Sequence, residues 1–303
     1  MRGVVLHGTG GTWHVLGDDG ETRQAVLRGA VKHAASVKLA VGDEVVLEPN
    51  ARGREWRIRE ILPRRSQLVR RAPGGARGER VVAANVDQVV VVFAIAHPEP
   101  HPRMLDRFLV IAEANGLAAR VVINKIDLAT PEEARRRFGA YEALGYPLHL
   151  TSCTAGIGLD ELHTALVGST SVLTGPSGVG KSSLMNAMYP ELNLRVGEIS
   201  ASVDKGRHTT VGAFMHPLPD GGFVVDTPGL REVGLWGVAS DRLAACFPEI
   251  RARVEACRFA DCRHRAEPDC AVREAVARGE ISEARYDSYV KLLAEAEEAE
   301  RVW

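Results

Sequence analysis

The hydrophobic pattern changes period twice along the chain, and each change marks a structural boundary. Through residues 1–62 the apolar positions come in short runs, Val4–His7, Thr12–Leu16, Thr22–Leu27 and Glu44–Glu48, broken by Gly8, Gly10-Gly11, Asp18-Asp19-Gly20 and Gly42-Asp43. Runs of that length between turn residues predict five or so short strands in a small closed barrel, of OB-fold type or SH3-like. Between residues 85 and 230 the apolar runs become continuous, at 89–95, 119–123, 147–151, 170–174 and 222–226. Such runs suit strands buried on both faces of a parallel sheet. Helical stretches at 102–115, 131–144, 158–167 and 181–189 alternate with them, which predicts an α/β domain. The remainder is helix-rich and ends in an amphipathic stretch, Ile281–Val302, with Tyr286, Tyr289, Val290, Leu292 and Leu293 as its apolar positions. The expected organisation is a barrel over 1–70, a Gly- and Arg-rich linker over 71–84, an α/β domain over 85–231 and a helical domain over 232–303.

Composition narrows this picture only slightly. At 303 residues the chain has room for two or three domains, and 45% hydrophobic with 25% charged residues excludes disorder, collagen and coiled coil as the main architecture. The longest apolar run, Val89–Ala96, is strand-sized, so no membrane span is expected. The N-terminus lacks the apolar region and cleavage site of a signal peptide, so a cytoplasmic location is expected. Net charge is −1, yet residues 51–80 hold ten arginines (52, 54, 57, 59, 64, 65, 70, 71, 77 and 80) against Glu55, Glu60 and Glu79. The alternation 52, 54 and 57, 59 would set arginines along one sheet face, suited to nucleic-acid phosphates or else simply solvated.

The chemistry lies in the α/β region. Gly175, Pro176, Ser177, Gly178, Val179, Gly180, Lys181 and Ser182 fit G-x-x-x-x-G-K-[ST], between the apolar strand at 171–174 and a helix that Ser183 continues. That is the context a phosphate-binding loop requires. Its glycines free backbone N–H groups for phosphate oxygens, Lys181 would reach the β- and γ-phosphates, and the Ser182 hydroxyl would ligate Mg²⁺. Asp226-Thr-Pro-Gly229 closes the strand at 223–225. There Asp226 would bind Mg²⁺ through water, and the Gly229 N–H would meet the γ-phosphate. Leu230 follows, where many GTPases place a water-orienting Gln, so hydrolysis needs another group.

Asn124-Lys125-Ile126-Asp127 ends the strand at 120–123. The Asp127 carboxylate can accept from N1–H and the exocyclic amine of guanine, a donor pair that adenine lacks. Asn124 would brace the loop and read the base edge, and the Lys125 stem would cover the ring. Ser152 and Cys153, in Thr151-Ser152-Cys153, would offer a backbone N–H to O6. GTP and GDP are therefore the expected ligands. The base-reading loop precedes the phosphate loop, the reverse of the order in ordinary small GTPases, so the domain is circularly permuted. Close termini make such rejoining tolerable.

Between the phosphate loop and Asp226, Arg195–Val211 has little apolar periodicity and reads as a switch segment. Thr209 or Thr210 would supply a second hydroxyl to Mg²⁺, with Thr210 favoured, and His208 would orient the attacking water. Farther on, Cys257-x₄-Cys262-x-His264-x₅-Cys270 offers three thiolates and an imidazole, a closed set suited to one structural Zn²⁺. Cys153 and Cys246 lie outside it.

These motifs, in this order and over the whole chain, resemble the RsgA family of circularly permuted GTPases. The match includes Gly206-Arg-His-Thr-Thr210 and the zinc-loop segment Cys262-Arg-His-Arg-Ala-Glu-Pro-Asp-Cys270. Gly178 departs from the Asn that potassium-dependent GTPases usually carry there. The resemblance implies a multidomain α/β protein: an N-terminal OB-fold barrel, a circularly permuted P-loop GTPase domain and a C-terminal helical zinc-binding domain. It implies a Mg²⁺-dependent GTP hydrolase that binds the small ribosomal subunit and its rRNA through barrel and zinc domain late in maturation, with His208 catalytic and turnover stimulated by the subunit; nothing in the sequence demands more than a monomer. An RNA-binding module with a purely structural nucleotide, and an ATP-using kinase, are the two competing readings.

Overall fold

A computed structural model describes residues 1–27, 38–50, 55–71, 79–194, 213–227 and 238–301. Five strands, β1 (Arg2–Thr9), β2 (Thr12–Gly17), β3 (Thr22–Leu27), β4 (Glu44–Pro49) and β5 (Trp56–Ile61), close into a barrel in the order β1-β2-β3-β5-β4. Strand β5 inserts between β3 and β4 and runs parallel to β3, with Ala25 opposite Trp56. That Greek-key closure selects the OB type over the SH3-like alternative. Alternation turns Val5, Val15, Ala25, Val45, Leu47 and Ile58 inward. Arg57 and Arg59 flank the buried Ile58 and face outward, as the alternation predicts.

Arg52, Arg54 and Arg77 lie outside the described residues, and among the others the basic block is not one phosphate-facing patch. Arg64 Nε donates to the fully buried Asp43 at 2.6 Å, and Arg65 donates to the Asn85 carbonyl at 2.9 Å and pairs with Asp87. Arg64 fastens the barrel's exit segment to the barrel itself, and Arg65 ties that segment to the residues leading into the sheet domain. The expected linker also proves shorter than its composition suggests. Strands β6 (Gln67–Arg71) and β7 (Glu79–Ala84) pair antiparallel across it. Leu68, Ala83 and Ala84 are buried, and that apolar content gives the strands their reason to form.

The central sheet has the order β10-β9-β8-β11-β13-β12. Its strands are β8 (Gln88–Ala94), β9 (Ala118–Asn124), β10 (Leu148–Leu150), β11 (Thr170–Thr174), β12 (Phe214–Pro217) and β13 (Phe223–Asp226). Five run parallel as the apolar runs predict, and every residue of β8 is buried. The sequence pattern did not reveal β12, an antiparallel edge strand of four residues ending in proline. Helices α1 (Pro102–Ala114), α2 (Pro131–Ala143), α3 (Leu159–Leu166) and α4 (Lys181–Met188) cover the faces. The start of α2 is set locally: Thr130 Oγ1 accepts from the Glu133 N–H at 3.2 Å, with Pro131 at the first helical position. The barrel rests on the sheet edge, where His7 of β1 packs against Phe214 of β12.

The C-terminal domain comprises α5 (Pro248–Arg251), α6 (Ala271–Ala277) and the long α7 (Glu283–Arg301). Its core of Phe247, Ile250, Val272, Tyr289, Leu292 and Leu293 also takes in Val110 of α1. Arg285 of α7 is 5% exposed and donates to Asp106 of α1 at 2.6 Å and to Glu249 at 2.8 Å, its guanidinium lying over the Phe247 ring. Tyr141 Oη donates to the same Asp106 carboxylate at 2.8 Å. A buried charge on α7 with ionic partners on α1 and α5 tolerates no sliding, because any slip leaves an unpaired ion. Among the described residues no helix is long and apolar enough to cross a membrane.

Candidate nucleotide and metal sites

Strands β9, β8, β11 and β13 are neighbours and parallel, so their carboxyl ends share one edge, and the nucleotide motifs emerge there. Gly175 leaves β11 with φ 134°, and a Cβ there would stand 2.0 Å from the Val92 carbonyl oxygen. Gly180 has φ 98°, and its Cβ would meet Asn124 Nδ2 at 2.4 Å. Only glycine allows both the left-handed backbone and the close approach. The loop then delivers Lys181 and Ser182 at the start of α4, both 5% exposed. Lys181 Nζ donates to the carbonyls of Gly175 and Pro176, each at 2.8 Å, so the ammonium sits inside the loop's curl. Ser177 and Gly178 form the exposed rim, Val179 is fully buried beneath them, and Pro176 and Ser183 are half-buried.

The base-reading loop is bolted to this one. Asn124 Nδ2 donates to the Val179 carbonyl at 2.9 Å, while its Oδ1 accepts from Thr151 Oγ1 at 3.2 Å. This is the bracing expected of Asn124, and an amide has a second N–H left for a base edge. Lys125 adopts φ 62° and donates through Nζ to Gly178 O at 2.8 Å and to His97 O. The sequence did not point to His97: it lies 28 residues upstream in a loop without a motif. Asp127 is exposed. Ser152 Oγ donates to its carboxylate, and that bond, opposed by partial desolvation and helped by the backbone N–H, Thr154 and Lys125, holds its pKa below the usual range. An exposed, ionised, oriented carboxylate is what guanine recognition asks for. Cys153 Sγ lies 3.8 Å from Asn124 Oδ1, and burial pushes this thiol up, so it acts as packing.

Asp226, 8% exposed, ends β13 opposite Leu173 of β11, one residue before the phosphate loop's root. Gly229, Leu230 and the segment holding His208, Thr209 and Thr210 lie outside the described residues. Replacing Lys181 with Ala should lower nucleotide affinity by at least about a hundredfold, because the loop loses its only side-chain cation at a charge-assisted phosphate contact. Fluorescent-nucleotide titration measures this, and wild-type affinity in the variant would contradict the loop assignment.

A second site lies in the C-terminal domain. Cys257 Sγ, Cys262 Sγ, His264 Nδ1 and Cys270 Sγ all fall within 4.8 Å of one another. Cys257 and Cys270 each stand 3.5 Å from His264 Nδ1 and 3.9 Å from each other. Metal–sulfur bonds of about 2.3 Å in a tetrahedron separate neighbouring ligand atoms by about 3.7 Å, so the set fits one ion. The loop is held from outside. Tyr286 Oη donates to the His264 carbonyl at 2.6 Å, and Tyr289 Oη to that of Arg263 at 3.1 Å. Glu267 accepts from the N–H groups of Arg263, Arg265 and Ala266. Burial alone would raise its pKa, but these donors outweigh it and hold the carboxyl at about 2. Cys246 lies in the helical core, as an apolar filler.

A G-x-x-x-x-G-K-S loop, an N-K-x-D loop that precedes it in the chain, an OB-type barrel and a Cys₃His cluster together define a circularly permuted GTPase. Residues 61–236 match the family model described as RsgA GTPase. A relative from Gemmatimonas aurantiaca, "Small ribosomal subunit biogenesis GTPase RsgA", is 59% identical, over 97% of this chain and 96% of its own length. One of the same name from Moorella thermoacetica is 41% identical, over 99% of both chains. The crystal structure of YjeQ from Thermotoga maritima matches with a TM-score of 0.80 at 36% identity, covering 97% of this chain and 98% of its own. YloQ, titled a circularly permuted GTPase, matches with a TM-score of 0.76 at 30% identity, covering 98% and 95%. The chain belongs to the RsgA GTPase family.

Proposed function

We propose that this GTPase acts on the small ribosomal subunit during its late maturation, hydrolysing GTP to GDP and phosphate at a rate that the subunit raises. The carrying observation is the joined geometry of the two loops: Asn124 and Lys125 tie the guanine-reading loop to the phosphate loop at Val179 and Gly178. The near full-length relatives named for small-subunit biogenesis supply the partner. In this reading Asn124, Lys125, Asp127, Ser152 and Cys153 receive the base. Gly175 to Ser183, with Asp226 and Gly229, receive the phosphates. Mg²⁺ neutralises phosphate charge when bound, and Ser182 and Thr210 would hold it, with Asp226 acting through water. The Cys₃His set suits one structural Zn²⁺, since no ligand position is left open for chemistry. The barrel (1–70) and the helical domain (232–303), flanking the GTPase domain (85–231), would contact rRNA, in a cytoplasmic monomer.

Leu230 cannot orient water, so the isolated chain should turn over slowly. His208 would take that role in the subunit-stimulated reaction. His208→Ala should therefore leave nucleotide affinity within about twofold and cut stimulated turnover about a hundredfold, the range for a positioned acid–base or water-orienting group. Unchanged stimulated turnover would remove His208 from the mechanism. The central experiment measures GTP hydrolysis by purified protein alone, with small subunits and with large subunits. Stimulation by small subunits only supports the reading. Binding without stimulation would favour an RNA-binding module with a structural nucleotide, and displacement of GDP by ATP would favour the kinase reading.

A further inference from the structure

Thr174 is the last residue of β11, directly before Gly175, and Thr227 directly follows Asp226 at the end of β13. The two strands are parallel neighbours in register through Leu173 and Asp226. The next step on each is Thr174 and Thr227, on strands about 4.8 Å apart. Alternation places both side chains on the face that carries Val172 and Val225, which share one apolar core with Val91 and Phe93. The residues are 3% and 4% exposed, and among the described residues neither Oγ1 has a hydrogen-bond partner. Valine has the same shape and would fill an apolar face without cost. Two unsatisfied hydroxyls at the same level of adjacent strands, one under each phosphate-contacting segment, call for a shared partner.

We propose that Thr174 and Thr227 hold one buried water between them, a hydroxyl–water–hydroxyl bridge tying the root of the phosphate loop to the root of the turn that bears Asp226. The hydroxyls do not bond each other, and a single water with two bonds of about 2.8 Å spans the gap that in-register neighbours leave. Both are positioning residues. This rests on the GTP reading of the site and deepens it: the turn after Asp226 would meet the γ-phosphate, which GDP lacks. A tie between loop and turn should therefore favour the GTP-bound form over the GDP-bound form.

The test uses the full chain with Thr174→Val, Thr227→Val, the double variant and the two serine variants. Affinities for GDP and for a non-hydrolysable GTP analogue are measured calorimetrically. Each valine should weaken the analogue about five- to tenfold relative to GDP, the worth of one bridging hydrogen bond. The double variant should be no worse than either single, since one removal already breaks the bridge, and serine should restore binding to within about twofold. Multiplying effects in the double variant would overturn the bridge, as would serine variants as weak as the valines, which would make the methyl group responsible. Valine variants with unchanged binding and a higher melting temperature would show the hydroxyls to be plain orphans. A wild-type chain without GDP affinity would bring down the functional reading together with the bridge; intact wild-type binding with multiplying valine effects would bring down the bridge alone.

Discussion

Replacing Asp127 with Asn should exchange guanine selectivity for xanthine selectivity. The carboxylate is exposed and oriented by Ser152 Oγ, and its lowered pKa keeps it an acceptor at neutral pH. Against guanine it meets two donors. An amide presents an N–H₂ to at least one of them, so two good bonds become one bond and one donor–donor clash. Xanthine carries an oxygen where guanine has its exocyclic amine, and the asparagine N–H₂ then finds an acceptor. Sites that hydrogen-bond their ligand in this way discriminate by about 10⁴-fold or more. The expected result is a loss of GDP affinity by about three orders of magnitude with a gain for xanthosine diphosphate, read in a competition titration. Since Ser152 can donate equally to an amide oxygen, the loop fold should survive, and a melting curve checks it. Retained guanine preference in Asp127→Asn would end the base-reading assignment.

The second large effect concerns the Cys₃His cluster. Cys262→Ser should drop bound metal from about one equivalent to under a tenth at sub-micromolar free zinc. A serine hydroxyl is a far weaker ligand than a thiolate, and three ligands no longer close the shell. Metal binding and folding are one free energy in small loops of this kind. The loop at 257–270 has little apolar content of its own and depends on Tyr286 and Tyr289 for its external bonds and on Glu267 for its internal ones. Loss of the ion should cost about 4 kcal/mol, or about 16–30 °C in the melting temperature of a helical unit of about 70 residues. The change should be confined to the helical domain, because the Asn124–Asp127 loop is held by Val179, Gly178 and Ser152 and by none of the metal ligands. Metal analysis with calorimetry reads both quantities. A full equivalent of zinc in the variant would refute the ligand set, and a chain that loses zinc with no change in melting would show the site to be peripheral to stability.

Local spacing made most of the nucleotide site legible. A phosphate loop needs glycines, a lysine and a hydroxyl within eight positions, and strand Thr170–Thr174 and helix Lys181–Met188 stand where that loop requires them. The same holds for Asn124 to Asp127 and for the four metal ligands, whose chemistry lies within fourteen residues. Where partners are far apart in the chain, the sequence was silent. Nothing in Arg285 announces Asp106, 179 residues away, and nothing in Lys125 announces His97. Arg64 and Arg65 read as members of a basic face because composition records a charge and not its partner; Asp43 and Asp87 turn them into fasteners.

The sequence by itself determined the parallel strands, the motifs at their ends, the permuted order and the ligand types, because each depends on residue identity over short spans and on the period of burial. Strand order was decided only by the tertiary structure. The placing of β5 between β3 and β4 makes the barrel an OB type, and the placing of β11 between β8 and β13 brings Asn124, Gly175 and Asp226 to one edge. It also set Thr174 beside Thr227 and closed a buried ion network across three helices. Such contacts arise when distant segments compete for the same apolar neighbours and the same buried charge, and that competition is settled in three dimensions.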